Sequence, residues 1–126
     1  SCFMAAARAY VKSYGEDHAE TVGALEKAAA TMGVLAEAYA SEGRYEEALE
    51  AYGHALSVRR RAPGEEHADT GDTQYNIANV YKEQGRYKEA AFSYTAAARV
   101  YAKAYGDQHA ETVDALEEAA ECTKLG

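Results

Sequence analysis

Histidines, cysteines and neighbouring carboxylates are the side chains of this 126-residue chain whose types could support chemistry. Three of its four histidines stand in loops that resemble one another: Tyr14-Gly-Glu-Asp-His18-Ala-Glu-Thr21, Pro63-Gly-Glu-Glu-His67-Ala-Asp-Thr70 and Tyr105-Gly-Asp-Gln-His109-Ala-Glu-Thr112. Three imidazoles make a zinc site only if each reaches within roughly 2.1 Å of one ion. Successive packed helical units lie about 8–10 Å apart, so these three cannot share a metal and are read as structural loop residues. His54 stands alone in a helical stretch and is expected on the surface. Glu46 and Glu47, and Glu65 and Glu66, are adjacent carboxylates. General acid–base work needs such groups in a cleft, whereas runs of this kind ordinarily form solvated helix faces. There is no nucleophile–base pairing, no glycine-rich phosphate loop and no His-Glu-x-x-His. The expectation is a protein that is not an enzyme, with no catalytic residues, metal or cofactor. Cys2 and Cys122 sit near opposite ends of the chain, beyond the ~7 Å between α-carbons that a disulfide allows, and are read as free thiols of a reducing compartment.

Repetition shows what positions these residues. Besides the three loops, two turns match, one full repeat apart: Glu42-Gly-Arg-Tyr45-Glu-Glu-Ala48 and Gln84-Gly-Arg-Tyr87-Lys-Glu-Ala90. The turns give a period of 42, from Gly43 to Gly85. The loops give 49 from His18 to His67 and again 42 from His67 to His109, so the first repeat carries seven extra residues between Thr21 and Gly43. The ends repeat as well. Phe3-Met-Ala-Ala-Ala-Arg-Ala-Tyr10 matches Tyr94-Thr-Ala-Ala-Ala-Arg-Val-Tyr101, and Thr21-Val-Gly-Ala-Leu-Glu-Lys-Ala-Ala29 matches Thr112-Val-Asp-Ala-Leu-Glu-Glu-Ala-Ala120, both at an offset of 91. Seven residues are two helical turns, about 10 Å of extra length, and return an apolar face to within about 20° of its old direction. The longer helix can therefore keep its contacts and is expected to overhang onto the first one.

Between these marks apolar residues recur at three- and four-residue steps, as in Ile77, Ala78, Tyr81 and in Ala90, Ala91, Tyr94, Ala97, Ala98, which is helical periodicity. Gly43 and Gly85 stand where a helix must stop, and Asp17 with Glu20 resembles a capping box. The pattern predicts six helices, over 2–14, 19–42, 45–61, 68–84, 87–104 and 110–125, antiparallel because the connections are short. Hydrophobic residues make up 48% of the chain, with eleven Tyr but two Phe and no Trp. A core of small Ala with Tyr between suits close helix-on-helix packing. A single Pro leaves the helices unbroken. The formal charge of −8 argues against nucleic acid and against an anionic membrane surface. No apolar run approaches the ~20 residues that span a bilayer. An intracellular, cytoplasmic protein is expected.

These residues resemble the tetratricopeptide repeat. One unit supplies Leu35-Ala36, Tyr39, Gly43-Arg-Tyr45, Ala48, Tyr52 and Ala55. The next supplies Ile77-Ala78, Tyr81, Gly85-Arg-Tyr87, Ala90, Tyr94 and Ala97. The 42-residue period and the Gly-x-x-His loop are similar to the longer repeats of kinesin light chains, although Ala19, Ala68 and Ala110 stand where that loop usually has Pro. The resemblance implies an all-α antiparallel helix-hairpin solenoid forming one domain over residues 1–126, and the frame at its two ends reads as a piece of a longer array. It implies a protein–protein interaction scaffold that takes a peptide or partner helix in a concave groove lined by the first helix of each pair. Carried onto this chain, that groove takes Glu37, Asp72, Tyr75, Asn76, Asn79, Lys82, Glu117, Glu118 and Glu121. The set is acidic in balance, so the expected partner is a neutral or basic extended segment. The alternative is end-to-end self-assembly through the terminal helices, with Phe3 and Tyr10 of one copy meeting Val113 and Leu116 of another.

Overall fold

The computed structural model describes residues 19–61 and 67–126. The expected helix over 2–14 lies outside them, as do Cys2, Phe3, Tyr10, the Asp17 capping box, His18 and Gly64. Among the described residues there are five helices and no strand: α1 (Ala19–Ser41), α2 (Tyr45–Arg59), α3 (Ala68–Glu83), α4 (Tyr87–Tyr105) and α5 (Ala110–Leu125). Helix α1 has 23 residues and α3 has 16. The difference of seven is the insertion seen in the repeat, accommodated as uninterrupted helix. The chain divides into two compact units, Ser1–Gly64 and Glu65–Gly126.

In the first unit α1 packs on α2. Leu25, Ala29 and Met32 of α1 meet Ala55 and Val58 of α2 in one buried cluster. Their spacing along α1 keeps them on one helical stripe. The alanines let the helix axes approach while Leu25 and Met32 fill the space beside them.

In the second unit α4 packs against both α3 and α5. Ala78 of α3, Ala90 and Tyr94 of α4, and Ala119 and Cys122 of α5 form one cluster. Ala97, Ala98 and Tyr101 of α4 form a second with Ala115 of α5. Tyr75 borders both clusters. Ala78, Ala90 and Ala97 are fully buried, so the helices cross on small residues, and Tyr94 and Tyr101 fill the gaps. Burying a side chain of this size contributes about 1.5–3 kcal/mol before entropy is counted.

The two matching turns are built alike. Gly43 and Gly85 adopt φ of 78° and 76°, the left-handed geometry that costs glycine least. The reversal closes with Arg44 N donating to the Tyr39 carbonyl at 2.9 Å, and Arg86 N to the Tyr81 carbonyl at 2.9 Å. These bonds satisfy carbonyls that a helix end leaves open. The arginine side chain then folds back. Each guanidinium lies 4.6 Å from a tyrosine ring centroid, Arg44 over Tyr39 and Arg86 over Tyr81. Each also pairs with the first turn of the following helix: Arg44 Nε donates to Glu47 at 2.7 Å, and Arg86 Nε to Glu89 at 2.8 Å. The Glu47 carboxylate raises the pKa of Arg44 further above its ordinary value.

Candidate functional site

The residues expected to line a groove on α3 are spaced three, four and three apart, which places Asp72, Tyr75, Asn79 and Lys82 on one helical face. The structure gives each of them a partner on another helix of the second unit. Two partners are on α4. Tyr101 Oη donates to Asp72 Oδ1 at 2.5 Å, and Tyr94 Oη donates to Asn79 Oδ1. The other two are on α5. Tyr75 Oη donates to Asp114 Oδ2 at 2.6 Å, and Lys82 Nζ donates to Glu118 Oε1 at 2.9 Å. Tyr75 also meets the Tyr94 ring edge-on, with centroids 5.0 Å apart and planes at 73°. The α3 face is thus fastened to both neighbours by polar pairs.

Electrostatics follow from this geometry. Burial raises the pKa of the Tyr75 hydroxyl, and the bond to Asp114 raises it further. Burial does the same for Tyr101, aided by the bond to Asp72. For Tyr94 burial leads and the Glu118 charge adds to it. All three hydroxyls are therefore held in the neutral, donating form. The bond to Glu118 raises the pKa of Lys82 and keeps it cationic. The Cys122 thiol, buried in the cluster behind, is pushed up by burial and stays protonated.

The remaining expected residues are placed as follows. Asn76 is half-buried on α3 beside these pairs, and Glu117 and Glu121 are exposed on α5. Glu37 is exposed on α1, in the first unit. Val113 and Leu116 are 39% and 50% exposed on α5. Phe3 and Tyr10 lie outside the described residues. Three residues at this site were not anticipated in these roles: Asp114, and the hydroxyls of Tyr94 and Tyr101. Asp114 stands one 42-residue period after Asp72, a recurrence that marks the same helical position.

Two loop histidines act as helix caps. Nδ1 of His67 accepts from Asp69 N at 3.1 Å, and Nδ1 of His109 accepts from Glu111 N at 3.1 Å. Each satisfies one of the free N–H groups at the start of α3 and α5. The His109 ring stacks on Tyr105 with centroids 4.4 Å apart, and Tyr105 stacks on Tyr101 at 6.1 Å. His54 is partly exposed on α2 with Glu50 at 4.0 Å. Among the described residues no three His, Cys, Asp or Glu side chains gather as a metal site, and no helix is long and apolar enough to cross a membrane.

Repeated hairpins with small residues at the crossings and tyrosines between them find their counterpart among known families. Residues 26–103 match the family described as tetratricopeptide repeat. The chain belongs to the tetratricopeptide repeat family. The matched stretch runs from α1 into the last turn of α4 and takes in both Gly-Arg-Tyr turns. No curated protein matches the chain. Tetratricopeptide repeats are typically non-catalytic modules that hold other proteins, and a protein-interaction scaffold is the function that membership supports.

Proposed function

We propose that the tetratricopeptide face formed by α3 and α5 holds an extended, neutral or basic peptide segment of a partner protein in the intracellular space, without catalysis. The observation that carries this reading is the arrangement around Asn79. Its Oδ1 is occupied by the Tyr94 hydroxyl, so its Nδ2 hydrogens remain for a ligand, and an amide so oriented donates to a backbone carbonyl. Asn76, half-buried one turn away, can both donate and accept. The α5 side supplies the charge preference. Lys82 is engaged by Glu118, whereas Glu117 and Glu121 are exposed, and an acidic rim steers a basic segment toward the groove. The 42-residue period and the Gly-x-x-His loops support a closer kinship with kinesin-light-chain repeats.

The test is calorimetric titration of the intact chain with a synthetic ten-residue peptide of alternating Lys and Ala, and with its Glu–Ala counterpart. The reading expects the basic peptide to bind, the acidic one not to bind, and Asn76→Ala to weaken the basic peptide about tenfold, equivalent to about 1.4 kcal/mol. Binding that is indifferent to Asn76→Ala, or equal for the two peptides, would reject it.

A further inference from the structure

Helix α4 packs on α3 and α5 through Ala90, Tyr94, Ala97 and Tyr101. Its opposite side is marked by Lys88, Phe92, Thr95 and Arg99, spaced four, three and four apart and therefore on one helical face. All four are exposed, Phe92 by 78%. A single exposed apolar side chain ordinarily needs no explanation. Here the ring is one wall of a shallow, largely apolar depression completed by Ala91, Thr95, Ala96 and Arg99. Lys88 stands on one side of the ring along the helix and Arg99 on the other. The carboxylate at the edge of this face, Glu89, is held by Arg86.

The preceding repeat shows that the fold does not call for this surface. One 42-residue period earlier, α2 carries Glu46, Glu50, Gly53 and Ser57 at the same four positions. All four are exposed, although a further repeat follows α2 in this chain. These positions are therefore not the ones that a next repeat covers. On α4 two of them reverse the character of the twin: Lys88 stands for Glu46, and Phe92 for Glu50. In a chain of net charge −8, a cationic spot around an apolar ring complements an acidic segment with an apolar side chain. Phe and Arg are also over-represented at protein interfaces. A flat anionic bilayer fits less well, because two cations would work against the repulsion of the whole acidic chain.

We propose that the outward face of α4 around Phe92 binds an extended acidic segment of a partner protein, with a leucine-sized side chain in the depression and a carboxylate on each side of it for Lys88 and Arg99. The rise of a helix puts Lys88 about 6 Å from Phe92 along the axis and Arg99 about 10 Å the other way. An extended chain covers those distances in about two and three residues. The motif is then Glu-x-Leu-x-x-Glu in one chain direction and its reverse in the other. This face belongs to α4 and not to the side of α3 that carries Asn76 and Asn79, so each proposal can fail without the other. A Glu–Ala peptide has no large apolar residue and is expected to stay unbound here as well.

The test is a nuclear magnetic resonance titration of the intact chain with the peptide Gly-Glu-Ser-Leu-Ser-Ser-Glu-Gly and with the same residues in reverse order. At least one of them should give saturable shifts centred on Phe92 and Arg99, and exchanging its Leu for Ala should weaken binding about tenfold. Phe92→Glu and Arg99→Ser each install the residue of the α2 twin, so circular dichroism should show both variants as helical as the parent. Phe92→Glu should weaken binding about tenfold or more, and Arg99→Ser about threefold, the second effect shrinking at high salt. Absence of saturable shifts for both peptides, equal binding by Phe92→Glu, or shifts centred on Asn76 and Asn79 would overturn the proposal. So would Phe92-dependent binding to phosphatidylserine vesicles without peptide binding, since a lipid surface would then be the occupant. A mass in light scattering that grows with concentration and is lost in Phe92→Glu would overturn it too, in favour of a second copy.

Discussion

Helices α1 and α3 each open a hairpin of the same construction, yet they present different faces. Both end on a left-handed glycine, both place a tyrosine under an arginine, and both tie that arginine to the next helix. Where α3 carries Asp72, Tyr75, Asn79 and Lys82, the positions of α1 at the same distance before the turn are Ala30, Gly33, Glu37 and Ala40. The turn and the buried alanine at the helix crossing, Ala36 on α1 and Ala78 on α3, are repeated, while the polar face is not. Packing constrains the first set through volume and backbone geometry, which tolerate little change. The second set is held by individual hydrogen bonds, which can be gained or lost one at a time.

The largest effects are expected in the core. Tyr94→Ala removes a fully buried ring from the second unit and should cost about 3–5 kcal/mol, measured by urea unfolding followed by circular dichroism. Leu25→Ala on α1 should cost about 2–5 kcal/mol, whereas Leu116→Ala, at the matching position of α5, should fall within about 0.5 kcal/mol of the parent. Equal losses at the two leucines would break the distinction between a covered and a bare stripe.

Smaller effects test the polar face. Tyr101→Phe leaves the ring in place and removes the bond to Asp72, for an expected loss of about 1.5–3 kcal/mol. The same bonds predict a pH dependence. A tyrosine whose folded pKa is raised contributes stability that is fully present below its unfolded pKa, near 10, and that is lost as pH rises through the folded value. The second unit should therefore weaken progressively above about pH 10, read by hydrogen exchange or circular dichroism. Tyr75→Phe and Tyr101→Phe together should flatten that decline. His109→Ala, which removes the α5 cap, should cost about 1 kcal/mol and raise exchange in the first turn of α5 more than elsewhere.

Much of the backbone was legible in the residues alone, for reasons that are local. Gly43 and Gly85 declare their turns because few other residues take a left-handed φ at low cost, and helices start after His67 and His109 because short polar loops interrupt the apolar period there. The seven-residue length difference between α1 and α3 could be counted from the repeat. The caps were less legible, since serine, threonine and aspartate are the usual signals and an imidazole Nδ1 accepts only in one tautomer. The pairs at the candidate site were the least legible. Tyr75 with Asp114 and Lys82 with Glu118 join residues 39 and 36 positions apart. Whether Lys82 reaches Glu118 or Glu121 depends on the rotation of α5 about its axis, which no local pattern encodes. The face of α3 could be predicted, but its attachment to α4 and α5 required coordinates.

The most direct test of the binding reading is a nuclear magnetic resonance titration of the intact chain with the Lys–Ala peptide, following the side-chain amide signals of Asn76 and Asn79. These two amides are expected to move together and saturate, and Tyr94→Phe, by freeing the Asn79 amide to turn, should reduce the shift at Asn79. Saturable shifts confined to α1 and α2, with both amides unmoved, would contradict it.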